Sequence, residues 1–173
     1  MRNGGTRCLP LSERVILGYP YGMIAIVQRV SRAEVRVDSE VVGRIDRGLL
    51  VLVAVEKADS EADADAVARK LVALRIFPGR MPMDLSVRDV GGACLVVSQF
   101  TLAGCLRKGN RPSFEAAEEP TRAQALYERV ASQVAAQGVP VATGRFAADM
   151  KVELLNDGPV TFIIRTRQGN LVD

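Results

Sequence analysis

The chain contains no histidine. That absence removes Ser-His-Asp and Cys-His catalysis, the HExxH zinc site and any histidine-ligated metal centre. Tryptophan is also missing, and aromatic residues make up only 5%. Cysteine is sparse: Cys8, Cys94 and Cys105 lie far apart and form no CxxC pair. A thiolate zinc site is therefore not expected. An odd, scattered set predicts reduced thiols in the cytosol, with Cys94 in the core and Cys105 in a loop. No apolar run approaches the roughly 18–20 residues of a membrane span. Neither GxGxxG nor the GxxxxGKS/T phosphate loop occurs. No cofactor or metal is expected. Charge is also undersupplied, at a net +3 from 23 basic and 20 acidic residues. This is too balanced for a protein that coats nucleic acid, but it permits a local basic patch. Chemistry must then come from hydroxyls, amides, carboxylates, lysine, arginine, backbone groups or the substrate itself.

What is present is enough apolar material, 48% of 173 residues, for one sizeable core. Residues 1–22 read as an N-terminal extension, disordered or an over-called start, and 23–173 as the folded unit. Strands are expected at 24–30, 33–37, 41–45 and 48–55, with a hairpin at Asp38-Ser39-Glu40. Ser60 with Asp63 signals a helix start, and Val67, Leu71, Leu74 and Phe77 supply its buried stripe up to Pro78-Gly79. A strand over 93–100 follows, then a long loop over 103–120. Thr121 and Gln124 read as the capping box of a second helix with a stripe of Leu126, Val130 and Val134. Strands at 139–143, 150–155 and 160–166 complete an α+β single domain. Its sheet is largely antiparallel or mixed and barrel-like, with two main helices packed on it.

Three groups of residues carry candidate chemistry. Asn156-Asp157-Gly158-Pro159-Val160-Thr161 sits between two apolar runs. The proline removes a donor, fixes φ and restricts Gly158. A rigid Gly-Pro unit can aim carbonyl oxygens at a ligand and exclude one stereoisomer, or it can be a structural turn. Ser98-Gln99-Phe100-Thr101 ends a strong strand. Its amides and hydroxyls either stabilise an oxyanion or merely satisfy neighbouring backbone. Arg107, Lys108 and Arg111 form the main basic cluster, either a solvated charge run or a phosphate contact. Arg29, between Gln28 and Val30, has a planar fork suited to fixing a carbonyl.

Together these residues resemble the D-aminoacyl-tRNA deacylase family over about 23–168. The resemblance rests on MIAIVQRV at 23–30, VGG at 90–92, LVVSQFTL at 95–102, KGNRPSF at 108–114 and NDGPVT at 156–161. It implies a cytoplasmic homodimer that hydrolyses the ester between a D-amino acid, or glycine, and the 3′ end of tRNA. It implies a cis Gly158–Pro159 bond, inserted into the partner's pocket, that rejects L-amino acids. Arg29 would hold that motif in place. Ser98, Gln99, Phe100 and Thr101 would form the pocket motif, with Phe146, Met150 and Thr161 beside the substrate. Arg107, Lys108 and Arg111 would face the tRNA. Thr101 is either nucleophile or pocket wall; lack of histidine favours the wall, with the substrate's own 2′-hydroxyl assisting water. A backbone amide near Phe100 is the candidate oxyanion donor. Residues 1–22, the compact loop 78–85 and Ala103-Gly104-Cys105 depart from the family pattern. A non-catalytic module for the tRNA acceptor end is the alternative reading. A small-ligand domain with a purely structural Gly-Pro turn is a weaker third.

Overall fold

Strand β1, Met23–Val37, is 15 residues long and forms the spine of the structure. A computed structural model describes residues 22–107 and 109–172. The expectation of a break near Ser31-Arg32 is corrected: β1 runs through both. What changes there is its neighbour. Ile24–Val30 pairs antiparallel with β3, Gly48–Ala54, whereas Ala33–Val37 pairs with β2, Glu40–Ile45. Ser31 and Arg32 are exposed at the handover. The β1–β2 hairpin turns on Asp38 and Ser39, both at positive φ (49° and 70°), as a twisted two-residue connection requires.

From β3 the chain enters α1, Glu61–Ala73. Ser60 caps it, donating its backbone N–H to the Asp63 carboxylate at 2.9 Å. The helix stops four residues short of the expected Phe77. Leu74 is already extended, and Phe77 instead bridges Leu85 while staying buried. β4, Ala93–Ser98, runs parallel to β3 and is two residues shorter than expected. The chain then tightens into a 3₁₀ turn, Phe100–Ala103.

Helix α2, Pro120–Ala136, begins before the expected Thr121 box. Glu119 is the actual cap: its carboxylate accepts the backbone N–H groups of Thr121 and Arg122, and Pro120 occupies the first helical position. Tyr127 and Ala131 join the predicted stripe in burial. β5, Val141–Thr143, returns parallel to β4. β6, Lys151–Arg167, lies antiparallel along almost all of β1. A two-residue β7, Asn170–Leu171, ends the sheet and lay outside the sequence reading.

The strand order is β5-β4-β3-β1-β6-β7, with β2 on β1, in one seven-stranded mixed sheet. The sheet curls into a half-barrel. β2 comes so close to β5 that a Cβ on Gly43 would lie 2.4 Å from the Thr143 carbonyl. Two cores result. One lies between the sheet and both helices, around Val27, Leu49, Val51, Leu71, Phe77, Val96 and Val130. The other fills the inside of the curl, around Val30, Val35, Leu50, Leu95 and Val97. Each side chain of this size contributes roughly 1.5–3 kcal/mol on burial. Cys94 is buried and free as expected, and burial pushes its thiol up to about 12. Cys105 is disulfide-bonded, which corrects the expectation of a wholly reduced set.

One buried carboxyl has a measurable consequence. Asp59 is 3% exposed, and its carboxylate accepts the Glu56 N–H at 2.7 Å. Burial pushes its pKa up to about 8, with Asp63, Glu56 and Glu118 adding repulsion. The folded state thus holds a proton that the unfolded chain releases near pH 4. Asp59's contribution is intact below that pH and is lost as pH rises through about 8. Glu34, Asp65, Asp89 and Glu119 are shifted down and act oppositely, at acid pH. Chemical denaturation should therefore show stability falling by about 1–3 kcal/mol between pH 5 and 8.5. Asp59→Asn keeps an oxygen for Glu56 and should flatten that slope; an equal slope in both proteins would refute the assignment.

Candidate active site

Parallel strands β3 and β4 end side by side, and a cavity of about 550 Å³ opens beyond them. Val53–Val55 and Val97–Phe100 form one side. Ala123 and Tyr127 of α2 form the back. Phe146 and Met150, from the β5–β6 connection, form the opposite wall. The lining is largely apolar, and its charged members are Glu118 and Asp149. Such a cavity suits a small organic group held by a few fixed dipoles.

The dipoles come from the turn after β4. Gln99 anchors it by donating its N–H to the Val53 carbonyl at 2.7 Å. Leu102 donates to Gln99 and Gly104 to Thr101, closing the 3₁₀ geometry. The first amides of such a turn have no acceptor within it. Those of Phe100 and Thr101 make no hydrogen bond among the described residues. The Phe100 ring is 59% exposed at the rim and meets Phe114 edge-on at 5.0 Å. Thr101 is not among the residues lining the cavity, and its hydroxyl accepts from the Gln99 side-chain amide. Phe100 and Phe114 flank the loop that carries Arg107 and Arg111, both exposed. Cys105 and Ser113 pair at its base through two backbone hydrogen bonds of 2.7 and 3.0 Å. Lys108 lies outside the described residues, as does the extension up to residue 21.

Asn156–Thr161 does not join two strands, as the sequence suggested. It is a bulge inside β6: Gln28 faces Thr161 and Val30 faces Asn156, so five steps on β6 oppose two on β1. The Gly158–Pro159 peptide is cis, and Gly158 sits at φ +146°. Both residues are exposed. Asn156 stitches the bulge by accepting the Val160 N–H at 2.9 Å and donating to the Thr161 hydroxyl at 3.2 Å. Gln28 donates to that hydroxyl as well, at 3.3 Å. Beneath lies Arg29, 8% exposed. Its Nε donates to the Asp157 carbonyl at 2.9 Å and lies 3.2 Å from the Asp157 carboxylate. Its Nη1 donates to the Ile76 carbonyl at 2.5 Å.

The predicted residues therefore fall into two groups. Ser98, Gln99, Phe100, Phe146 and Met150 converge on the cavity. Arg29, Gly158, Pro159 and Thr161 assemble at the bulge, outside the lining of that cavity. Sequence reading missed Tyr127, Asp157 and Ile76. Tyr127 was legible in principle, because a tyrosine next to a helical core stripe needs a buried partner for its hydroxyl. It has one: the Val96 carbonyl at 2.8 Å.

Comparison with known proteins finds relatives over most of the chain. The sequence profile of the D-Tyr-tRNA(Tyr) deacylase family matches residues 26–165. The D-aminoacyl-tRNA deacylase of Ruegeria pomeroyi is 59% identical over 140 residues, 80% of this chain and 97% of the relative. That of Anaeromyxobacter dehalogenans is 56% identical over 147 residues, 84% and 99% of the two chains. A solved structure described as c-Myc DNA Unwinding Element Binding Protein superposes with a TM-score of 0.79 at 36% identity, covering 83% of this chain and 99% of that one. A probable eukaryotic D-amino acid tRNA deacylase shares the fold, with a TM-score of 0.71 at 17% identity over 83% and 98%.

Proposed function

The chain belongs to the D-Tyr-tRNA(Tyr) deacylase family and hydrolyses the ester of D-aminoacyl-tRNA, and we propose that it does so with main-chain groups rather than a side-chain nucleophile. The observation that carries this reading is the pair of unengaged amides, Phe100 and Thr101, at the mouth of an apolar cavity. Placed there, an ester carbonyl finds two donors for the oxyanion that forms as water attacks. The acyl carbon gains the water oxygen, the bond to the ribose 3′ oxygen breaks, and that oxygen takes a proton. An aminoacyl ester is already activated, so orientation and oxyanion stabilisation suffice. The neighbouring ribose 2′-hydroxyl assists the water, the part a histidine would otherwise play.

Handedness is read by the carbonyls of Gly158 and Pro159. They stand exposed and apart from their own cavity, so they act in the cavity of a second copy. A homodimer fits the apolar groups left open on β6: Ile163 is 56% exposed and Leu155 51%. Glycyl-tRNA has no side chain to exclude and is cut too. Arg107, Lys108 and Arg111 meet the tRNA phosphates. An aminoacyl-tRNA substrate places the work in the cytoplasm. Purified protein should release D-tyrosine from D-Tyr-tRNA and spare L-Tyr-tRNA. Equal cleavage of both would defeat the stereochemical reading, and binding without turnover would select an acceptor-end binding module instead.

Thr101→Ala tests the main-chain mechanism directly. Thr101 is outside the lining and its hydroxyl is engaged by Gln99. The variant should keep kcat/KM within about fivefold of the parent. A loss beyond about a thousandfold with unchanged binding would reinstate Thr101 as the nucleophile.

A further inference from the structure

The back of the cavity holds a phenol that this chemistry leaves unused. Tyr127 of α2 is 3% exposed and lines the cavity. Its hydroxyl donates to the Val96 carbonyl at 2.8 Å, two residues before Ser98. The same carbonyl accepts the Gly144 N–H at 3.1 Å. Its ring lies tilted against Phe146 at 6.0 Å. One side chain thus joins three parts of the pocket: α2, which carries it, the strand that delivers the oxyanion turn, and, through its ring, Phe146 of the opposite wall.

We propose that Tyr127 is a positioning residue for the deacylation: its hydroxyl fastens α2 to β4 while its ring backs Phe146, and together they set the gap between the Ser98–Phe100 turn and the Phe146–Met150 wall. This rests on the reading of the cavity as the substrate pocket. Burial pushes the phenol up to about 12, so it remains a donor at working pH and takes no proton from water. Its effect is on geometry. Amides that stabilise a transition state are sensitive to displacement by fractions of an ångström, whereas binding of the tRNA end is not. If Tyr127 loses its hydroxyl, Val96 still keeps the Gly144 hydrogen bond. The fold should therefore suffer less than the chemistry.

The test is Tyr127→Phe, assayed on D-Tyr-tRNA at a temperature where the variant is fully folded. We expect kcat to fall about tenfold with KM within twofold and the D-over-L preference intact. The melting temperature should drop by only about 2–4 °C. Should that variant fail to fold, Tyr127→Met also removes the hydroxyl while keeping an apolar side chain of similar length, and it should show the same kcat-only signature. A folded variant with the parent's kcat would overturn the proposal alone. Absence of hydrolysis by the unsubstituted chain would bring down the functional reading and the proposal together.

Discussion

Gly158→Ala is expected to cut the preference for D- over L-aminoacyl-tRNA by at least about tenfold. The argument is steric and local. Gly158 sits at φ +146°, a conformation that side-chain-bearing L residues rarely adopt. A Cβ there would lie 2.6 Å from the Val160 Cγ2, 2.8 Å from the Val160 N and 3.3 Å from the Arg29 Nη2. The first two distances require a backbone shift, because Val160 is buried and its N–H is held by Asn156. The shift moves the carbonyls assigned to chiral selection. Stability should fall by about 1–3 kcal/mol, the range for a strained backbone residue. The decisive measurement is the ratio of kcat/KM for D-Tyr-tRNA and L-Tyr-tRNA in protein shown by circular dichroism to be folded. An unchanged ratio would remove Gly158 from the selection machinery.

Arg29→Met should be the most damaging single substitution at the bulge. It preserves the length of the apolar stem while removing the donors for two carbonyls, Asp157 and Ile76. The Asp157 carboxylate loses its cation as well. It is half exposed, so water recovers part of that loss, whereas the Ile76 carbonyl belongs to a residue 2% exposed. A destabilisation of about 2–4 kcal/mol is expected, mostly from the stranded carbonyls. D-Tyr-tRNA hydrolysis should fall at least about a hundredfold, because the bulge loses its only ionic anchor among the described residues. Arg29→Lys should recover little, since an ammonium cannot span both carbonyls as a planar fork does. A variant with near-parental activity and stability would show that Asn156 and Gln28 alone hold the bulge.

The fold was legible wherever pattern and period agreed. Gly48–Ala54 reads as a central strand and is one, and Leu126, Val130 and Val134 face the core as their spacing requires. Failures occur where a long-range partner overrides a local signal. Ser31-Arg32 looks like a break because β1 exchanges β3 for β2 there, and only the assembled sheet shows this. Thr121 and Gln124 form a plausible box, yet Glu119 with Pro120 captures the helix start two residues earlier. The pocket residues and an amide near Phe100 were legible as a motif, but that the Phe100 and Thr101 amides are both left without an acceptor is visible only in the folded turn. The pairing of Arg29 with Asp157 and Ile76 spans 128 and 47 residues of sequence. No spacing rule reaches that far.

The bulge is spliced into β6, whose ladder runs along nearly the whole of β1. The loop beside the cavity is closed at its base by a two-bond pair between Cys105 and Ser113. The ladder amides on either side of the bulge belong to the longest pairing in the sheet and should exchange with solvent near the global unfolding limit, while those of the exposed residues 109–111 exchange early. This division separates two evolutionary freedoms. The loop between Cys105 and Ser113 can take insertions, as surface loops commonly allow. The bulge, welded into the scaffold, stays out of reach of such drift.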